Sequence, residues 1–269
     1  MPQAAEVDPL LGAAARLAAA GCESPRLDAE LLLAEALGST RTALYLRPAR
    51  PLPPSEREHF ERLIARRAER EPVAYILGRK PFRHLELAVD RRVLIPRPET
   101  ELLVEVGLEL PRGARVADVG TGSGAVALAL ADERPDLELT GIDISSGALA
   151  VARANARRLG LKVSFVRGDL LVGGPYDAVL ANLPYVRDGE QLAPEIARFE
   201  PPAALYGGAD GLDIVRRLAQ AARGVPLVAL EVGADQAGVA AELLREAGFG
   251  DLDRRRDLAG HERVVVARR

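Results

Sequence analysis

Asparagine occurs only twice in the 269 residues, and one of the two opens the tetrapeptide Asn182-Leu183-Pro184-Tyr185, directly after an apolar run that reads as a buried strand. A primary amide beside a proline-restricted backbone and an aromatic ring suits the capture of a planar –NH2 group. The Asn182 Oδ1 and a backbone carbonyl can each accept one of its two hydrogens. The reacting group is then expected to be an amide or a base amine. The plain alternative is a turn, because Asn and Pro are common after strands. What stands at the neighbouring strand ends decides between them.

An earlier apolar run ends in Asp118-Val119-Gly120-Thr121-Gly122-Ser123-Gly124-Ala125 and leads straight into a helical pattern. Glycines there permit a tight turn and close ligand approach, while the helix start offers free N–H groups and a positive dipole end. Gly120, Thr121, Gly122, Ser123 and Gly124 are therefore the candidate cofactor loop. Gly120, Gly122 and Ala125 also satisfy the dinucleotide fingerprint, so the loop alone does not separate a nicotinamide cofactor from S-adenosylmethionine. Asp143 ends the next strand at the spacing where an acid meets ribose hydroxyls. Asp169, after the third strand, is placed to accept from an adenine amine, with Leu170 to cover the ring. Either acid could instead cap a helix. Asn182 ends the fourth strand, and ligands of open α/β sheets bind beyond the carboxyl ends of strands.

The fourth position discriminates. A dehydrogenase has no need of a carbonyl clamp opposite its cofactor, whereas methyl transfer to an –NH2 nitrogen does. An amide lone pair is delocalised into its carbonyl. Acceptors on both hydrogens draw it out of conjugation and stabilise the positive charge that develops on nitrogen. The Tyr185 ring can stack on the planar group and exclude water. No strong base is required, since an N-alkylated, protonated amide loses its proton to water.

These groups need a scaffold, and the chain supplies its pattern. Residues 8–77 carry helical periodicity, with Leu10, Ala14, Leu17 and Ala18 on one face and Leu27, Leu31, Leu32 and Leu37 on the next. Ser24-Pro25 and the capping box Ser55 with Glu58 mark helix starts, the second opening Glu56–Arg70, and Arg50-Pro51-Leu52-Pro53-Pro54 connects the helices. Between Phe82 and Ile95 the pattern turns strand-like, with Leu85, Leu87 and Val89 alternating, which predicts a β-hairpin. From Arg115 onward apolar runs alternate with helical ones, predicting strands over 116–119, 137–142, 163–166, 178–181, 227–232 and 264–267. That alternation argues an α/β fold with a doubly wound parallel sheet. Thr100 is expected to cap a helix over Glu101–Leu110, and Arg254-Arg255-Arg256 to form a solvated edge.

A composition of 48% hydrophobic and 28% charged residues is that of a soluble globular protein. One cysteine, Cys22, and three scattered histidines argue against disulfides and a metal site. A net charge of −3 gives no basic block for gripping phosphates, so no nucleic-acid partner is expected. Glu6 and Asp8 ahead of an alanine-rich stretch form neither a signal peptide nor a membrane span, and the chain reads as cytoplasmic.

The residues quoted so far, taken with Ser24-Pro25-Arg26-Leu27-Asp28-Ala29-Glu30-Leu31-Leu32, Glu71-Pro72-Val73-Ala74-Tyr75-Ile76-Leu77-Gly78, Leu94-Ile95-Pro96-Arg97-Pro98-Glu99-Thr100, Arg198-Phe199-Glu200-Pro201 and Asp257-Leu258-Ala259-Gly260-His261-Glu262-Arg263, resemble the release-factor glutamine methyltransferases over nearly the whole chain. The resemblance implies transfer of a methyl group from S-adenosylmethionine, leaving S-adenosylhomocysteine, to the side-chain amide of the glutamine in the Gly-Gly-Gln loop of peptide chain release factors. It implies a helical substrate-recognition domain over residues 1–80, a hairpin linker over 81–96, and a seven-stranded, Rossmann-like methyltransferase domain over 97–269 whose last strand is antiparallel. Phe82 would help wall the glutamine pocket, with a core aromatic as the alternative, and Arg97 to Thr100 would line the cleft. Arg198 and Glu200 are expected to form a local ion pair. The family usually reads Asn-Pro-Pro-Tyr; here Leu183 replaces the first proline, and Pro184 still biases it toward extended geometry. Asn-Leu-Pro-Tyr is also similar to the motif of ribosomal RNA adenine dimethyltransferases, which keeps an adenine-N6 methyltransferase, and beyond it a non-catalytic nucleoside-binding scaffold, as alternatives.

Overall fold

A computed structural model describes residues 9–46 and 52–269; Glu6, Asp8, Arg50 and Pro51, which entered the sequence reading, lie outside them. The chain divides into two compact units, residues 1–78 with 193–199, and residues 79–192 with 200–269.

The first unit is helical: α1 (Pro9–Ala19), α2 (Pro25–Ala36), α3 (Arg41–Leu46), α4 (Pro54–Ala68) and α5 (Val73–Leu77). Ala13, Leu17, Leu32, Phe60, Ile64 and Ile76 form its core, and full burial of Phe60 or Ile64 contributes about 2 kcal/mol each. On α1 it is Ala13, not Ala18, that turns inward with Leu17, and Leu27 of α2 stays exposed. The expected capping box does not form. Helix α4 begins two residues earlier, at Pro54 behind Pro53, whose fixed backbone already sets the entry, and Ser55 sits inside the helix. A short helix from far along the chain, Pro194–Phe199, completes this unit: Glu195 takes the guanidinium of Arg70 at 2.6 Å and that of buried Arg67 at 2.9 Å.

The second unit opens with a hairpin of β1 (Arg79–Phe82) and β2 (Leu85–Ala88), in which Phe82 faces Leu85 across the turn. The hairpin starts three residues before the strand-like pattern, because Arg79, Lys80 and Pro81 carry no apolar alternation. Then follow α6 (Glu101–Leu108), β3 (Arg115–Val119), α7 (Ala125–Glu133), β4 (Glu138–Asp143), α8 (Ser146–Leu159), β5 (Ser164–Arg167) and β6 (Ala178–Asn182). With Pro194–Phe199 counted as α9, the rest is α10 (Asp213–Ala221), β7 (Leu227–Glu231), α11 (Ala237–Glu246), β8 (Asp251–Arg256) and β9 (Glu262–Arg268).

The seven strands lie in the order β5-β4-β3-β6-β7-β9-β8, parallel except that β9 runs antiparallel to both its neighbours. The doubly wound α/β expectation and the antiparallel last strand are both met. Polar β8 went unread in the sequence: its Arg254-Arg255-Arg256 edge is a true sheet edge, charged as exposed edges are. Along β3, β6 and β7 alternate residues go to opposite faces. Ala117, Val119, Val179, Ala181, Val228 and Leu230 pack under α10 and α11. Val116, Ala178, Leu180 and Ala229 pack with Leu103, Val104 and Val106 of α6 and with α7. Strand order reverses between β3 and β6, and the crevice at such a switch point is where these sheets bind ligands.

Candidate active site

Strand periodicity dictates what meets at that crevice. Asn182 stands two residues after Leu180, and Glu231 two after Ala229, so both side chains turn toward the face that α6 covers. The β6–β7 register sets Asn182 directly beside Glu231. Thr100, immediately before α6, reaches the same spot. It occupies the capping position, yet its hydroxyl makes no cap bond; instead its Oγ1 accepts from Asn182 Nδ2 at 3.0 Å. With Nδ2 so engaged, Asn182 Oδ1 is left unburied and without a donor among the described residues.

Glu231 is buried, and its Oε2 has no hydrogen-bond partner among the described residues. Burial pushes its carboxyl up to about 7, the Thr100 hydroxyl opposing and the Glu99 charge adding to the rise. Burial and the Glu231 charge push the Tyr185 phenol up to about 12, so it is neutral at ordinary pH. Sequence reading absorbed Glu231 into an apolar strand; a lone acid inside such a run was the available signal.

On the other side of the switch point the glycine loop takes the form its composition predicts. Gly120, Gly122 and Gly124 have φ of +74°, +55° and +86°, conformations that other residues rarely adopt. A Cβ on Gly120 would lie 3.1 Å from the Asn182 carbonyl oxygen and 3.3 Å from Leu183 Cδ2, so loop and motif approach as closely as backbone allows. Buried Asp118 anchors the loop, its Oδ2 accepting from Thr121 Oγ1 at 2.6 Å and from the Ala127 N–H at 3.2 Å. Burial nevertheless pushes its carboxyl up to about 6. Asp143 receives the Gly122 N–H at 3.0 Å and the Ser145 N–H at 2.8 Å, one on each oxygen. Each carboxylate oxygen has a second lone pair, so acceptor capacity for hydroxyls remains. Ser123, buried, contributes its carbonyl to Asn155 Nδ2. A cradle that a side chain would fill, a helix start behind it and an acid at the next strand end fit the nucleoside half of S-adenosylmethionine.

The remaining candidates are placed as follows. Asp169 is exposed and paired with Arg217 at 2.6 Å, while Leu170 holds φ at +66°, a strained value for a branched residue. Phe82 is 2% exposed and packs in the core with Leu87 and Leu103. Arg97 pairs with buried Glu200 at 2.5 Å, and Glu200 also receives the Ile95 N–H at 3.1 Å. The expected Arg198–Glu200 pair is thus absent. Arg198 stacks over the Phe199 ring at 5.5 Å, because Glu200 is buried against the segment that carries Arg97.

The motif itself is braced from behind by residues the sequence did not single out. Val186 and Gly207 exchange backbone hydrogen bonds with the Leu205–Tyr206 segment and Val186 respectively. Gln236 Nε2 donates to the Tyr185 carbonyl at 2.9 Å. At Gly207 a Cβ would meet the Pro184 oxygen at 2.3 Å, and at Gly211 the Tyr185 oxygen at 2.1 Å. The cluster Gly207-Gly208-Ala209-Asp210-Gly211 was the signal for this close approach. The Leu183 carbonyl accepts no hydrogen bond among the described residues, while its side chain is buried beneath α10 and α11.

Residues 10–78 match the family profile described as PrmC N-terminal domain, and residues 98–199 that described as methyltransferase small domain. A release factor glutamine methyltransferase of Rhodospirillum rubrum is 45% identical over 268 residues, 94% of this chain and 82% of the relative. One of Deinococcus radiodurans is 43% identical over 273 residues, 97% of this chain and 98% of the relative. A solved methyltransferase of Pyrococcus furiosus has a TM-score of 0.54 at 18% identity, over 68% of this chain and 88% of its own, which is a likeness of fold. With identity of this level spread over both units, this chain belongs to the release factor glutamine methyltransferase family.

Proposed function

We propose that this chain methylates the side-chain amide nitrogen of the glutamine in the Gly-Gly-Gln loop of peptide chain release factors, in the cytoplasm and without nucleic acid as a partner. S-adenosylmethionine supplies an electrophilic methyl group. The chain supplies the rest. Gly120, Thr121, Gly122, Ser123 and Gly124 receive the cofactor, Asp143 accepts from its ribose hydroxyls, and Asp169 and Leu170 take the adenine. Asn182 Oδ1 accepts one hydrogen of the glutamine amide and the Leu183 carbonyl the other. Pro184 keeps that carbonyl extended, and Tyr185 covers the amide plane and excludes water. Phe82 and Arg97 shape the surroundings of the pocket, Phe82 from the core side. Residues 1–80 engage the release factor, 81–96 connect, and 97–269 carry the chemistry.

The observation that carries this reading is the orientation of Asn182. With Nδ2 committed to Thr100, the acceptor Oδ1 is the atom presented, as a planar –NH2 substrate requires. Release factor incubated with the protein and S-adenosylmethionine, then digested and analysed by mass spectrometry, should carry one methyl group on that glutamine. Label found in RNA or DNA and absent from release factor would favour an adenine-N6 methyltransferase, and no turnover on either would favour a non-catalytic scaffold.

A further inference from the structure

The turn that joins β8 to β9, within Asp257–Arg263, takes no part in the cofactor cradle or the amide clamp. At its tip Leu258 is 110% exposed, the highest value of any large apolar residue among those described. A lone exposed leucine is ordinary on a protein surface. The turn that carries this one is tightly built. Asp257 Oδ1 accepts the N–H groups of Ala259 and His261, each at 2.9 Å, and its Oδ2 accepts Arg263 Nε at 2.8 Å. The Asp257 N–H donates to the His261 carbonyl and the Gly260 N–H to the Asp257 carbonyl, both at 2.9 Å. Arg256 Nη1 donates to the Gly260 carbonyl at 2.8 Å. An apolar group held out to solvent on a turn of fixed shape needs little ordering when it binds.

Strand register puts the turn on the active-site rim. Asn182 stands opposite Glu231 and Glu231 opposite Val264, and the Val232 N–H reaches the Arg263 carbonyl at 2.9 Å. Because β9 runs antiparallel to β7, its first residues lie at the carboxyl ends of β6 and β7, and the turn before them projects beyond. Strand spacing is about 4.8 Å, so β9, second in line from β6, is offset from Asn182 by roughly 10 Å. That is too far for the side chain whose amide Asn182 would hold, and well placed for the polypeptide that carries it. The arginines at the turn are committed: Glu262 pairs with Arg254 at 3.0 Å and with Arg256 at 2.7 Å, and Asp257 with Arg263 at 2.8 Å. A phosphate backbone gains little from cations already paired, which favours a protein over a nucleic acid as the occupant.

We propose that Leu258 is a docking residue for the protein substrate, packing against an apolar patch of release factor that flanks the Gly-Gly-Gln loop. The proposal rests on the methyl-transfer reading and deepens it. Since the fold shelters no part of Leu258, Leu258→Ser should keep the wild-type melting temperature. Its KM for release factor should rise about tenfold, as when a leucine side chain is removed from an interface. Its kcat and S-adenosylmethionine affinity should stay within about twofold of wild type, which marks a loss of binding alone. Fluorescently labelled release factor should bind the S-adenosylhomocysteine-loaded variant about tenfold more weakly, and Leu258→Met should restore the wild-type values. Unchanged KM and unchanged binding in Leu258→Ser overturn the proposal, as does a variant that loses affinity for RNA and keeps it for release factor. Should binding depend on Leu258 while wild-type protein leaves release factor unmethylated, the docking turn stands and the methyl-transfer reading falls.

Discussion

Asn155 and the backbone of Ala88 exchange a pair of hydrogen bonds, 2.8 Å into Asn155 Oδ1 and 3.0 Å from its Nδ2, and the same Nδ2 donates to the Ser123 carbonyl at 3.0 Å. One fully buried amide therefore ties the hairpin to the glycine loop. Asn155→Ala would leave the Ala88 N–H and two carbonyls unpartnered, at roughly 2–4 kcal/mol. Urea unfolding should show a lower midpoint with an unchanged slope.

Asn182→Ala removes one of the two acceptors for the substrate amide while leaving the glycine loop intact. Methyl transfer to release factor should fall by about a thousandfold, the scale set by losing one preorganised hydrogen-bonding group at a reacting centre. Calorimetry should find S-adenosylmethionine binding little changed. An active variant would remove the mechanism.

Glu231 makes the stability of the fold depend on pH. Its carboxyl, raised from 4.5 to about 7 by burial, favours the protonated form in the folded state. That contribution is complete below pH 4.5 and is lost as pH rises through about 7, amounting to on the order of 3 kcal/mol. Glu231→Gln cannot ionise, so its melting temperature should exceed that of wild type at about pH 8 and by much less at about pH 5. The charged groups facing the carboxyl are Glu99, which raises its pKa, and Arg263 and Arg97, which lower it, with the neutral Tyr185 phenol beside them.

Gly211→Ala tests the bracing behind the motif. The position has φ of +78° and its new Cβ would lie 2.1 Å from the Tyr185 carbonyl oxygen, so the Pro184-Tyr185 backbone must shift. kcat should fall at least tenfold, with cofactor affinity nearly unaltered, because a displaced clamp costs chemistry more than cofactor binding. Steady-state kinetics together with calorimetry separate the two.

Asp143→Ala should weaken S-adenosylmethionine binding by about tenfold or more, through loss of a charged acceptor. The Gly122 N–H that it holds at 3.0 Å would be released as well, so the loop should also become more mobile. Unchanged affinity in calorimetry would reject the ribose assignment.

The fold was legible wherever apolar periodicity matched an element. The helix at Ala125–Glu133 and the strands ending at Val119, Asp143 and Asn182 follow from it within a residue or so. Strand β8 was not legible, because an edge strand can be polar throughout and still be held by its neighbour's backbone. At the site, the residues that present groups to ligands stood out by type: glycines, two acids and a rare asparagine. Those that stand behind them did not. Thr100 reads as a helix cap and Glu231 as one position of an apolar strand, and they meet Asn182 only through strand register and across an 82-residue separation in sequence. Glu200 likewise finds Arg97 at 103 residues' distance, where adjacency suggested Arg198.

The helical unit takes its last piece, Pro194–Phe199, from late in the chain. During synthesis, therefore, residues 1–78 leave the ribosome with Arg67 and Arg70 still lacking Glu195. At ordinary elongation rates, on the order of ten seconds passes before that glutamate is available. The helical unit thus begins to emerge long before it can be completed, and the segment that completes it is made only after β1 to β6 of the other unit, whose own β7, β8 and β9 follow later still.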